Sequence, residues 1–471
     1  MLITSLALSF AAIGSTEATL PVDQNPAPLT RQAEANTLIR GIDGEILGDT
    51  AALEAALGGQ LAAPLATAQT IRWVRPGVAE VQLGQTGTSW TESFLVGVPQ
   101  NRNMYAPLLV LFHGYGQTPA DVYAQTTYFQ EARERGWFVV APLGAHVYNY
   151  GIDYAQENTE LALDWVAHHL PIDDERVYGV GFSMGGGWMT SYAARHVAPD
   201  QLRFAGLVNH TGTTSLQDLY SVATENALFD SPLMFGGSPT DVPYRYCVAS
   251  TMDWDSATGI VNSQTDIARN LTSIPVWTTY ADGDPLAHIR AQCDAFHDHY
   301  DNARGGDGLN ATVPGTTHHW TTVSETEVLD WLSNKTFTAP GTNAFNEVLV
   351  DRDAKYWAFD VKQDVVGEVT PVRWYTHTGI NRVQIDTVSN MSEIAFDANE
   401  IGLNTNGAFT LVFNNTDGIT VDIVIRGLSY PPSNVTRSGN TTPAWTWNQS
   451  TQELRLTEFN GNTFPLWTIQ S

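Results

Sequence analysis

The chain has 471 residues, of which 43% are hydrophobic and 15% charged, with 14 Trp, 17 Tyr and 18 Phe. That much apolar surface excludes general disorder, and at roughly 150 residues per domain the length implies two or three domains. The formal charge of −27, from 23 basic and 50 acidic residues, sets the surface against polyanions. Neither nucleic acid nor an anionic membrane is therefore expected as a partner.

Residues Leu2 to Gly14 form an apolar run too short to span a bilayer. Thr16 and Ala18 then stand where small residues precede a signal-peptidase cut. Residues 1–18 are expected to be a cleaved secretion signal and the protein to be extracellular, although the first basic residue is only Arg31. The basic residues include only three Lys (Lys335, Lys355, Lys362); such a surface suits an extracellular or salty setting, and genomic base composition accounts for it as well. Residues 19–69, rich in Ala, Pro and Leu, read as a tether or prosegment with a short helix at Ala51–Leu57.

From residue 70 the texture is that of a packed domain. Val78–Leu83 and Ser93–Val98 are strand-like, and Pro107–Phe112 is a continuous apolar run ending in His-Gly. An amphipathic stretch, Tyr123–Arg135, leads to a second such run at Trp137–Ala141. Asn158–His169 carries helical spacing, and Arg176–Val180 reads as a buried strand entering Gly181. Further on, helices are predicted at Met184–Arg195, Leu286–Tyr300 and Glu325–Leu332, and strands at Phe204–Val208, Pro275–Tyr280 and Asn310–Val313. Alternating buried strands and helices predict an α/β domain over 70–338 with a mostly parallel sheet and flanking helices. An insertion at 209–274, rich in Thr, Ser, Asp and aromatics, would hang over the carboxyl edge of the strands, where such sheets bind ligands.

Past Thr338 the run TAPGTN marks a boundary and helical spacing stops. Strand candidates follow at Lys355–Val361, Pro371–Trp374, Arg382–Thr387, Phe409–Phe413, Thr420–Arg426 and Glu453–Leu456. Turns separate them, so residues 339–471 read as an antiparallel, all-β sandwich-like accessory domain. Trp357, Trp374, Trp445, Trp447 and Trp467 are candidates for an exposed surface that stacks on sugars or adsorbs to a polyester; packing the sandwich core is the plainer role. Cys247 and Cys293 either pair as a single bridge or stay as buried thiols, and neither stands in a CxxC spacing.

Gly181-Phe182-Ser183-Met184-Gly185 fits the nucleophile elbow G-x-S-x-G, with a strand before it and helix-forming residues after it. The elbow lifts a serine hydroxyl above the sheet on a strained turn, and Ser183 is the expected nucleophile. A serine needs a histidine base held by a carboxylate, and in this architecture the chain order is Ser, then acid, then His. The turn Ala281-Asp282-Gly283-Asp284-Pro285 offers two carboxylates; Asp284 is favoured, with Asp282 as a cap of the turn. His318 is favoured over His319 in Gly315-Thr316-Thr317-His318-His319-Trp320. The developing oxyanion requires two preorganised N–H donors, expected from Met184 and from Tyr115 in His113-Gly114-Tyr115-Gly116-Gln117-Thr118. The scattered carboxylates and the other histidines suggest neither a metal nor a cofactor.

These motifs resemble the secreted polyhydroxybutyrate depolymerase and feruloyl esterase group of α/β-hydrolases: LFHGYGQTPADV, IDDERVYGVGFSMGGG, the acid turn ADGDP and the H-x-W of HHW. The resemblance covers residues 90–335. It implies a carboxylic ester hydrolase with Ser183, Asp284 and His318 as triad, and the Tyr115 and Met184 amides as oxyanion hole. Relatives commonly carry a small residue or Cys in place of Tyr115. The expected substrates are polymer-linked, aryl or short-chain esters, with an insoluble polymer held by the C-terminal domain. The insertion aromatics Tyr220, Phe229, Phe235 and Trp254 would line an acyl or aryl pocket, or form the insertion's own core. A serine peptidase of the same fold and a noncatalytic surface-adhesion module are the competing readings.

Overall fold

The computed structural model describes residues 38–40, 46–49, 68–83, 90–100, 105–222, 226–263, 265–304, 308–415, 420–438, 443–459 and 465–470. The expected secretion signal and the Ala51–Leu57 helix lie outside the described residues.

The first compact unit is built on one nine-stranded sheet. Its strands are Ala68–Arg75 (β1), Val78–Leu83 (β2), Glu92–Gly97 (β3), Ala106–Phe112 (β4), Phe138–Pro142 (β5), Ile172–Phe182 (β6), Gly206–His210 (β7), Val276–Ala281 (β8) and Leu309–Val313 (β9). They lie in the order β9-β8-β7-β6-β4-β5-β3-β2-β1. The six from β9 to β5 run parallel, while β3, β2 and β1 join antiparallel at one edge. The reversal at β4/β5 and the antiparallel β3 are the strand order of the α/β-hydrolase sheet.

Burial explains the central strands. Leu108 to Phe112 of β4 are fully buried, and β4 pairs with β6 on one side and β5 on the other. A strand covered on both faces reads as a continuous apolar run, not an alternating one. The helices Pro119–Gln125 (α1), Tyr128–Glu134 (α2), Asp153–His169 (α3), Met184–Arg195 (α4), Leu216–Val222 (α5), Asn226–Phe229 (α6), Pro243–Ala249 (α7), Ala287–Arg304 (α8) and Glu325–Ser333 (α9) make the remaining connections. Thr118 caps α1 in a reciprocal capping box with Asp121. The segment after β7 packs a small core of its own from Leu216, Leu219, Phe229, Met234, Phe235 and Tyr246 with Ile152.

The second unit contains residues 338–471 and two short stretches from within the preceding chain, 194–201 and 263–273. Asn270 shows why those stretches group with it: its side chain donates to the Ala194 and Leu349 carbonyls and accepts the Leu349 N–H. Arg195 and Asp351 form an ion pair at 2.7 Å with both side chains fully buried, and the Tyr356 hydroxyl donates to the same carboxylate.

The unit carries two six-stranded sheets that face each other. Phe359 of one lies 5.0 Å from Trp374 of the other, and Trp467 Nε1 donates across to Glu458. The other pairings of both sheets are antiparallel as expected, but Arg382–Val388 pairs parallel with Phe409–Asn415, and Met391–Asp397 pairs parallel with Thr420–Arg426. Consecutive strands there belong to opposite sheets, and crossing between layers brings same-direction strands together. The single strand expected at Lys355–Val361 is a hairpin, Ala354–Tyr356 and Phe359–Gln363, turning at Trp357 with φ 52°. Trp357, Trp374 and Trp467 are buried, so the sandwich core claims them. Trp445 and Trp447 are half-buried on Trp445–Asn448.

Candidate active site

The elbow is a place where space dictates sequence. Ser183 sits between the end of β6 and the start of α4 with φ 56°, a left-handed conformation that side chains adopt only when the surroundings enforce it. A Cβ on Gly181 would lie 2.2 Å from the Gly185 carbonyl oxygen, and one on Gly185 would lie 2.1 Å from that of Phe112. Three backbone bonds lock the turn: Ser183 N–H to His210 O at 2.9 Å, Gly186 N–H to Ser183 O at 3.0 Å and Thr213 N–H to Ser183 O at 3.2 Å. Ser183 is 7% exposed. Met184 is the first residue of α4, a position whose N–H has no acceptor within the helix.

At the end of β8 the structure separates the two carboxylates. Asp284, 2% exposed, places Oδ2 2.7 Å from His318 Nδ1, while Oδ1 accepts the Leu286 N–H at 2.8 Å. Burial pushes its pKa up, but the hydrogen bond to His318, that ring's charge, the Leu286 amide and Arg290 together hold it below the usual carboxylate range. Asp282 is exposed and turns the other way, accepting the Gly315 N–H at 3.1 Å and so tying the two loops together. His319 also turns away: its Nδ1 accepts the Thr321 N–H at 3.2 Å and caps the short turn Trp320–Thr322.

The ring of Phe182, the residue before Ser183, packs 4.6 Å from that of His318. No hydrogen bond joins Ser183 Oγ to His318 among the described residues, a spacing common in ligand-free sites whose contacts tighten around substrate. Trp320 has a partner that sequence reasoning did not supply. Its Nε1 donates to Gln117 Oε1 at 3.0 Å, and the same oxygen accepts the Gly114 N–H at 2.9 Å. The turn bearing His318 is thereby bonded to the loop bearing Tyr115. Gly116 donates to Val147 O at 2.8 Å, which fixes that loop on its other side.

The segment 143–151 is a second feature not legible beforehand. Glu92 is fully buried, and its carboxylate accepts the N–H groups of Leu143, Gly144 and Ala145 and the amide of Asn158. Burial pushes the Glu92 pKa up to about 7 despite those donors. The clamped segment presents Tyr148 and Tyr150, 4.8 and 5.8 Å from the Tyr115 ring, and Tyr150 continues to Phe229 at 5.4 Å. An aromatic wall thus runs from the Tyr115 loop towards the insertion. Phe229 and Phe235 are buried in the insertion's core, while Tyr220 and Trp254 are only partly covered.

Cys247 and Cys293 are both buried as thiols, with no disulfide between them. Among the described residues no group of His, Cys, Asp and Glu is arranged to hold a metal ion, and no helix is long and apolar enough to cross a membrane.

No family profile and no curated protein sequence matches the chain. Solved structures similar to it include a fluorophosphonate-binding serine hydrolase from Staphylococcus aureus, with 14% identity, 55% of this chain and 98% of that one covered, and a TM-score of 0.39. An S-formylglutathione hydrolase from Agrobacterium tumefaciens is 16% identical, with 57% and 99% covered and a TM-score of 0.39. A ferulic acid esterase is 19% identical, with 54% and 96% covered and a TM-score of 0.40.

Proposed function

We propose that this chain is a serine ester hydrolase working by two-step acyl transfer. The observation that carries the reading is the part-buried Asp284–His318 bond of 2.7 Å together with a serine held at φ 56° on a strand-to-helix turn. In the first step His318 takes the Ser183 proton as Oγ bonds to the ester carbonyl carbon. The oxyanion is met by the Met184 and Tyr115 amides, and the alcohol leaves with the proton from His318. Water then repeats the sequence on the acyl-enzyme. Asp284 keeps the imidazole in the tautomer that presents a bare Nε2 to the serine and stabilises its charged form.

The substrate class within this reading is an aryl, short-chain or polymer-linked ester, as in feruloyl or acetyl xylan esterases and polyhydroxyalkanoate depolymerases. The Tyr115, Tyr148 and Tyr150 rings support an acyl or aryl group lying flat against them. The reading also includes export, supported by the apolar run Leu2–Gly14, and adsorption of the second unit to an insoluble polymer. For adsorption the support is the strip formed by Phe345, 74% exposed, with Tyr375 at 5.0 Å and His377 beyond it. N-terminal sequencing of protein recovered from the medium checks export.

A panel of methyl ferulate, acetylated xylan, p-nitrophenyl acetate and polyhydroxybutyrate film, run beside Ser183→Ala, tests the activity. Loss of a triad serine lowers kcat on the order of 10⁶-fold. A fluorophosphonate should label the wild type and leave Ser183→Ala unmarked. Equal labelling of both, or turnover of none of the four substrates by folded protein, removes the proposal.

A further inference from the structure

His210 closes β7 and is 1% exposed, yet no step above uses it. Its backbone oxygen accepts the Ser183 N–H at 2.9 Å. Its ring lies 4.9 Å from Phe182, the ring that also packs on His318. Its Nε2 stands 2.7 Å from Thr322 Oγ1, and that hydroxyl is 2.9 Å from the His319 carbonyl oxygen. A carbonyl only accepts, so Thr322 commits its single O–H to His319 and must receive a hydrogen from His210. The imidazole proton therefore resides on Nε2. The ring is neutral, because burial and the neighbouring His318 push its pKa down to about 3. Nδ1 is left buried with no hydrogen-bond partner, a cost that an apolar ring at this position would not carry.

One residue thus holds both catalytic elements, the elbow by its main chain and the 318–322 turn by its side chain. Ser183 Oγ and His318 make no direct hydrogen bond, so their approach must be set by what lies behind them. We propose that His210 is a positioning residue, whose bond to Thr322 sets the distance between Ser183 and His318. The proposal rests on the ester-hydrolase reading above.

The test uses p-nitrophenyl acetate with the full chain and its His210→Phe, His210→Gln, Thr322→Val and Ser183→Ala variants. Phe keeps the ring without the donor; Gln offers an N–H at similar reach; Val is nearly isosteric with Thr and keeps the test open if His210→Phe does not fold. We expect His210→Phe and Thr322→Val each to lower kcat about tenfold, the worth of one ordinary hydrogen bond, with KM within about twofold of wild type. His210→Gln should recover most of the loss, and the Phe/Val double variant should be no slower than either single. Unchanged kcat in Thr322→Val overturns the proposal. So do losses that multiply in the double variant, or a raised KM at intact kcat. A Ser183→Ala protein that keeps the wild-type rate would instead remove the ester-hydrolase reading itself.

Discussion

Two carboxylates two residues apart meet opposite fates in this chain. Asp284 is buried against His318, whereas Asp282 faces solvent and holds Gly315. Asp284→Asn should lower kcat on the order of 10⁴-fold, because the amide no longer enforces the required imidazole tautomer. Asp282→Asn should stay near the wild-type rate on p-nitrophenyl acetate, and a comparable loss in both would undo the distinction. Two other buried groups contribute to the pH dependence with opposite signs. The Glu92 carboxyl titrates near 4.5 when unfolded and about 7 when folded. Between those values the folded chain keeps a proton that the unfolded chain has lost, so stability falls as pH rises. His210 goes from 6.5 to about 3 on folding, so through that window stability falls as pH falls. Each slope is at most about 1.4 kcal/mol per pH unit, and the two oppose each other where the windows overlap. Urea melts across the overlap should show stability rising with pH in Glu92→Gln and falling in His210→Phe, relative to wild type. Parallel slopes in all three proteins would contradict the assignment.

Among elements, the loops after β4, β5, β8 and β9 are joined into one rim by side chains, not by their own backbones alone. Trp320 reaches Gln117, Gln117 holds Gly114, and Glu92 clamps the segment whose Val147 carbonyl takes the Gly116 amide. Trp320→Phe removes the indole N–H and leaves an aromatic ring in place. It should lower kcat about tenfold with little change in KM, less than the 10²- to 10³-fold loss of an oxyanion donor itself. Steady-state kinetics on p-nitrophenyl acetate decide it. An unaffected kcat would mean that the loop keeps its shape without the indole. Glu92→Ala should do more harm to folding than to any single step, since three amides lose their acceptor at once.

For the whole molecule, cutting the chain at residue 338 does not separate the second unit cleanly. Residues 194–201 and 263–273 belong to that unit, and removing 339–471 would strip Arg195 of its buried carboxylate. Asp351→Ala should cost about 3–5 kcal/mol, as breaking a fully buried pair does, read as a lowered urea midpoint. Polymer adsorption is better probed on the intact chain. Phe345→Ala with Tyr375→Ala should lower binding to polyhydroxybutyrate film and leave p-nitrophenyl acetate turnover near wild type. Undiminished binding would place the adsorbing surface elsewhere.

The elbow, the carboxylate turn and the histidine loop were legible because each is a local solution: glycines where a Cβ has no room, a polar turn after an apolar run. Continuous apolar runs likewise marked the central strands, since burial on both faces leaves no alternation. Local pattern favoured Asp284 over Asp282 and His318 over His319, but the bond between the favoured pair, 34 residues apart in sequence, forms only in the folded chain. It could not find Glu92, Gln117, His210 or Thr322, whose partners lie at sequence separations of 3 to 203 residues. The parallel pairs of the sandwich were hidden for a related reason. A strand's own residues encode burial on its faces, but which strand lies beside it is decided only when the two layers close.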